Sequence, residues 1–162
     1  MADDGELRGV GGWLATFVVI LAVISPLFSI FQVYQALYAD PVVAAGYAEA
    51  WTTIQAFEWS LVAVCALAAW FAAYRLVSVH NWLSVKIAIF TIWAIAIGGT
   101  VAELAGVSWI TGLSAGLILA EGGTGLIVRP IIFCLIWTTY LLRSERVANT
   151  YRGSDGQAEV FE

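Results

Sequence analysis

Charge is what this 162-residue sequence has least of. Only 12% of it is Asp, Glu, Lys or Arg, with seven basic and twelve acidic residues. An ordinary soluble domain carries about 25% charged residues. A chain this short cannot cover a water-facing surface with so few, which excludes a soluble enzyme, a nucleic-acid binder and a disordered chain. Histidine is reduced to His80, in the stretch Ser78-Val79-His80-Asn81-Trp82. One imidazole with no neighbouring acid or thiol makes no metal site and reads as a hydrated loop residue. No HExxH, CxxC, P-loop or GxSxG pattern occurs. Gly122-Gly123-Thr124-Gly125 is glycine-rich but lacks the lysine of a phosphate cradle. Cys65 and Cys134 each sit among apolar residues and read as small buried hydrophobes, neither a disulfide nor a redox pair. The expectation is therefore no enzyme, no metal and no cofactor.

What is present is apolar. Hydrophobic residues make up 61% of the chain, and the mean hydropathy is +0.87. That leaves an all-α integral membrane protein. A bilayer core of about 30 Å needs about 20 helical residues. No charge lies between Arg8 and Asp40, which predicts a first span over 12–35. Pro26, near its middle, removes a backbone hydrogen bond, so a kink is expected there, with Ser25 or Ser29 re-satisfying the freed carbonyls. Asp40-Pro41 marks a turn. Further spans are predicted over 58–79, 85–105 and 122–142. The apolar stretch 107–120 is too short for a crossing and reads as an interfacial or re-entrant segment.

Four spans put Arg8, Arg75, Lys86, Arg143, Arg146 and Arg152 on one side and only Arg129 on the other. This bias predicts a four-helix bundle in a single domain, 1–151, with both termini cytoplasmic. A fifth span over 107–120 would break it. The acidic start, the long apolar run and the lack of a small-residue cleavage site argue against a cleaved signal peptide. The tail, 152–162, is polar and expected to be mobile.

Three groups of residues stand out. Ala94, Gly98, Ala102 and Gly106 recur every four residues in the third span. Such a face packs against the rest of the bundle, another copy or another subunit. Second, Arg129 lies 14 residues before Arg143, about 21 Å up a helix. Glu103 lies 17 residues after Lys86, and Glu58 17 before Arg75, each about 25 Å up. Arg129, Glu103 and Glu58 thus fall in one layer near the outer surface. Either Arg129 pairs with a carboxylate around a polar pocket, or each side chain snorkels to the interface. Third, Arg143, Arg146, Asn149 and Tyr151 lie where the fourth helix would continue into the cytoplasm. They suit lipid phosphates, or docking on the 75–86 loop or a partner. Among eight tryptophans, Trp13, Trp51, Trp59, Trp82 and Trp109 fall near predicted interfaces, and Trp70, Trp93 and Trp137 fall deeper.

Gly11-Gly12-Trp13-Leu14, Pro26-Leu27, Arg129-Pro130, Trp137, Tyr140 and the closing run Ser144-Glu145-Arg146-Val147-Ala148-Asn149-Thr150-Tyr151 carry a resemblance. With them the chain resembles a bacterial inner-membrane family known only as a domain of unknown function, DUF2569. The resemblance implies a four-span inner-membrane protein and no particular activity. Small extramembrane regions and no catalytic constellation favour an accessory or assembly subunit of a larger membrane complex. The alternative is an oligomeric transporter or channel subunit for a small solute or ion, built on the Glu58, Glu103 and Arg129 layer. Expected partners are the lipid bilayer and other membrane subunits or the protein itself, with no nucleic acid.

Overall fold

Backbone groups in a bilayer have no water to bond to, so a chain this apolar satisfies them within helices. The structure, a computed structural model, describes residues 9–38, 46–122 and 125–151. All regular structure among them is helical. Helix α1 runs Trp13–Tyr38, α2 Trp51–Ser78 and α3 Trp82–Thr111. These three are long and apolar enough to cross a membrane. Short α4, Ala115–Gly122, precedes α5, Gly125–Arg143, and α6, Glu145–Tyr151, is the last helix among the described residues. The turn expected at Asp40-Pro41 and the tail 152–162 lie outside the described residues.

The helices overrun the predicted spans. The first continues to Tyr38, and the second begins at Trp51, so Glu58 lies two turns inside it. The third absorbs the first part of the 107–120 stretch and stops at Gly112, whose φ of 73° is left-handed. Glycine takes that conformation without the Cβ clash that other residues meet. The remainder forms α4, started by the Ser114 hydroxyl, which accepts from Leu117 N at 3.3 Å. The 107–120 segment is thus a helix end and a separate helix. The closing run does not prolong the fourth helix either: α6 turns 63° from α5 at Ser144.

Two π-helical stretches interrupt the long helices, Ile20–Ile24 in α1 and Ala94–Gly99 in α3. The first immediately precedes Ser25-Pro26. A proline at 26 cannot donate to the carbonyl of Ala22, four residues back. Neither Ser25 nor Ser29 meets that carbonyl. The indole N–H of Trp70 on α2 donates to it at 2.7 Å. A tertiary contact thus satisfies the bond that proline removes.

Packing is uneven along the bundle. The buried core joins Leu14, Phe17 and Leu21 of α1 to Ala69, Ala72, Ala73 and Leu76 of α2. Val85, Ala88 and Ile92 of α3 and Cys134, Trp137 and Leu141 of α5 complete it. All lie towards the end where the first and last described residues meet. Phe17 and Trp137 rings pack at 4.7 Å, and the Trp93 indole donates to Thr138 Oγ1 at 3.0 Å. The alanines of α2 admit this close approach. Asn81 opens α3 by accepting from Ser84 N at 3.1 Å, making the α2–α3 hairpin tight.

A clasp seals this end. Val147 and Tyr151 of α6 are fully buried. The Tyr151 hydroxyl donates to the carbonyl of Leu76 at 2.5 Å, and its ring stacks on His80 at 5.8 Å. Gly9 N donates to Thr150 Oγ1 at 2.9 Å. The Arg146 guanidinium lies over Gly11, where an added Cβ would come within 2.9 Å of Nη1. The first and last described segments are therefore tied to each other.

Candidate functional site

The opposite half of the bundle is open. A cavity of about 620 Å³ lies between α1, α2 and α3, with α4 and Pro130 of α5 at its edge. Glu58 of α2 and Glu103 of α3 both line it. Glu58 is seven residues below Trp51, about 10 Å, and Glu103 eight below Thr111, about 12 Å. Because α2 and α3 run antiparallel, these offsets bring both carboxylates to one level. Ser29 and Gln32 of α1 and Thr100 of α3 add polar atoms, and Phe28, Trp51 and Leu61 add apolar wall. The deepest residues are Cys65 and Ile95, about 21 and 24 Å from the same helix ends.

The floor of the cavity follows from the second π-helical stretch. Ile95 and Gly99 both belong to it and both line the cavity. A Cβ on Gly99 would come 3.8 Å from Cys65 Sγ. The Thr100 hydroxyl donates to the Ala96 carbonyl at 2.7 Å, satisfying an acceptor inside the widened turn. Such π turns are frequent at functional sites because they re-aim side chains within an otherwise regular helix.

The structure brings two of the three residues in the expected ionic layer together. Arg129 is exposed and is not among the cavity residues, although the next residue, Pro130, is. No Lys, Arg or His lines the cavity among the described residues. The small-residue stripe of α3 is divided between two environments. Ala94 is exposed and Gly98 has nothing within 4 Å of an added Cβ, whereas Gly106 lies under the Phe57 ring so closely that any Cβ would collide. The π-helical turn between Ala94 and Gly99 breaks the spacing on which a single face depends.

At the sealed end, Tyr151 and Arg146 are engaged inside the molecule, Tyr151 with the α2 end and the following loop, and Arg146 with Gly11. Arg143 and Asn149 are exposed. Burial, reinforced by the neighbouring Tyr140, pushes the Tyr151 phenol up to about 12. Among the described residues no group of three His, Cys, Asp or Glu side chains is placed to hold a metal ion.

Two features escaped sequence reasoning. Trp70 as a partner for the Ala22 carbonyl could be half anticipated, because proline at 26 marks which carbonyl is freed. Gln32 gave no signal, and Ser29 stood out only as a partner for a freed carbonyl, since only the fold places both on the cavity of Glu58 and Glu103. No curated protein and no solved structure matches the chain. The model of a family described as "Protein of unknown function (DUF2569)" matches residues 7–152, a range that includes both halves of the clasp, and the chain belongs to that family.

Proposed function

We propose that the protein is a non-catalytic membrane protein whose open half admits and binds cations, acting as a subunit of an oligomeric transporter or channel. The observation that carries this reading is the placement of Glu58 and Glu103 on one cavity whose lining, among the described residues, includes no basic side chain. Two like charges at one site repel, and a cation between them relieves the repulsion. At the helical rise α2 and α3 are about 42 and 45 Å long, against a hydrocarbon core of about 30 Å. The carboxylates, about 10–12 Å below the helix ends, thus fall near the headgroup layer, within reach of water and ions.

Arg75, Lys86, Arg143 and Arg146 gather at the sealed end and Arg129 at the other. The positive-inside rule then supports four crossings in the cytoplasmic membrane of a bacterium, with both termini inside and the cavity facing out. Four helices rarely complete a transport path, so the reading includes self-association.

Cys65 offers a native test, because it lines the cavity floor while Cys134 is buried and donates its S–H to the Ile92 carbonyl. In right-side-out vesicles, a thiol reagent bearing trimethylammonium should label Cys65 several-fold faster than one bearing sulfonate. Glu58→Gln with Glu103→Gln should erase that preference. Equal rates in the native protein, or labelling only from the other face, would refute the reading.

A second reading, an accessory or assembly subunit, is favoured by the open surface at Ala94 and Gly98, where another helix backbone could approach closely. Extraction in a mild detergent with mass-spectrometric identification of co-purifying chains separates the two. Stoichiometric foreign subunits support the accessory role, and a homo-oligomer supports transport.

A further inference from the structure

We infer that the occupant of the open cavity is an organic ammonium with an apolar body, and that a bare metal ion is not its ligand. This rests on the cation-binding reading above and narrows it to one chemical class.

The size of the space comes first. A volume of about 620 Å³ falls within the roughly 300–1,000 Å³ of sites that enclose small organic molecules. A hard metal ion instead needs a closed shell of oxygens at about 2.0–2.6 Å. Among the described residues no three His, Cys, Asp or Glu side chains come together to hold one. The walls come second. Phe28 and Trp51 line the same cavity and add aromatic surface to it, and an aromatic face attracts an alkylammonium while its alkyl groups pack on it. The vertical order of the lining comes third. Glu58 and Glu103 lie about 10–12 Å below the helix ends, and the lining continues about 10 Å further to Cys65 and Ile95. The carboxylates thus lie midway down a lining that is mostly apolar above them (Trp51, Ile54, Leu113) and below them (Leu61, Ile95), which matches a ligand with one cationic group and a hydrocarbon body. Its ammonium sits between the carboxylates and its body packs on the apolar wall beside them.

That chemistry has two sources: a soluble amine arriving from outside, and the ammonium headgroup of phosphatidylethanolamine entering between the helices. Both present the same group to Glu58 and Glu103.

The test uses the full-length protein in phosphatidylglycerol nanodiscs and follows alkylation of Cys65 by N-ethylmaleimide. Hexylammonium should slow labelling about tenfold at saturation, whereas hexanol, sodium and calcium should leave it near the free rate. Glu58→Gln and Glu103→Gln should each raise the protecting concentration of hexylammonium about tenfold or more, the worth of one charge-assisted contact. Phosphatidylethanolamine included in the nanodisc should protect without added amine if the lipid is the natural source, and should leave hexylammonium protection intact if it is not. Sodium or calcium protecting as well as hexylammonium would overturn the organic class and leave the cation reading standing. Hexanol protecting as well as hexylammonium would overturn both. These comparisons need only the native protein, so they hold even where a Glu variant fails to fold.

Discussion

The hydrogen bond from Trp70 to the Ala22 carbonyl lends itself to a quantitative test. Trp70 lies on the surface of α2 and is half exposed, so replacing it with phenylalanine removes the indole N–H at little cost in packing. The 2.7 Å bond disappears and the Ala22 carbonyl is left without the partner that Pro26 could not supply. Leaving an acceptor unpaired away from water, as on a half-buried helix face in lipid, costs about 1–3 kcal/mol. Measured side-chain hydrogen bonds within membranes are smaller, about 0.6 kcal/mol on average with a maximum near 1.7. The expected cost of Trp70→Phe is therefore about 1 kcal/mol. In a Pro26→Ala background the new backbone N–H can reach the same carbonyl within the helix, so Trp70→Phe should then cost close to nothing. The coupling between the two positions should be about 1 kcal/mol. Reversible unfolding of the four proteins in mixed micelles, titrated with sodium dodecyl sulfate, gives that coupling directly. Additivity within about 0.3 kcal/mol would show that the indole is not the partner of the freed carbonyl.

Other outcomes follow from the clasp and from α3. Tyr151→Phe removes the hydroxyl bonded to the Leu76 carbonyl and should lower stability by about 1–2 kcal/mol in the same unfolding assay, loosening α6 first. The Tyr151 phenol is raised from its usual 10 to about 12, so the folded state holds its proton more tightly than the unfolded chain does. Its contribution is complete below pH 10 and is lost as pH climbs towards 12. Ultraviolet titration should show one late tyrosinate, absent in the phenylalanine variant. Gly106→Leu should collapse the yield of folded protein because of the Phe57 ring, whereas Gly98→Leu should leave the isolated protein folded. If Gly98→Leu also dissociates a native assembly on size-exclusion chromatography, the open surface of α3 is a subunit contact.

Much of the fold follows from local physics. With 61% apolar residues and 12% charged, the chain has no solvent other than lipid to fold in, and the bilayer admits helices. Hydropathy located the long helices but misjudged their ends. It measures solubility in hydrocarbon, whereas a helix stops where a residue such as Gly112 turns the backbone. The turn at Ser144 was missed for a related reason. Nothing in Ser144-Glu145-Arg146 forbids a continuing helix; α6 turns because burying Val147 and Tyr151 in the core shared by the long helices is available only in the folded bundle.

The candidate site was half legible. Counting residues from Arg75 and Lys86 put Glu58 and Glu103 at one height, and the helical rise is a local property that survives folding. The same counting placed Arg129 at that level, yet height along a helix says nothing about azimuth. Arg129 faces outward, and the carboxylates share a cavity without it. The spacing of Ala94, Gly98, Ala102 and Gly106 failed as a guide to one face because a π-helical turn shifts the angular register. The sequence alone determined that this chain is helical and membrane-embedded, and the level at which its acids lie, since these depend on composition and rise per residue. Tertiary structure alone decided which carbonyl meets Trp70, which glycine lies under Phe57, and that one half of the bundle closes while the other stays open. Each of these depends on the rotation of one helix against another, and that rotation is set by contacts between residues far apart in the chain.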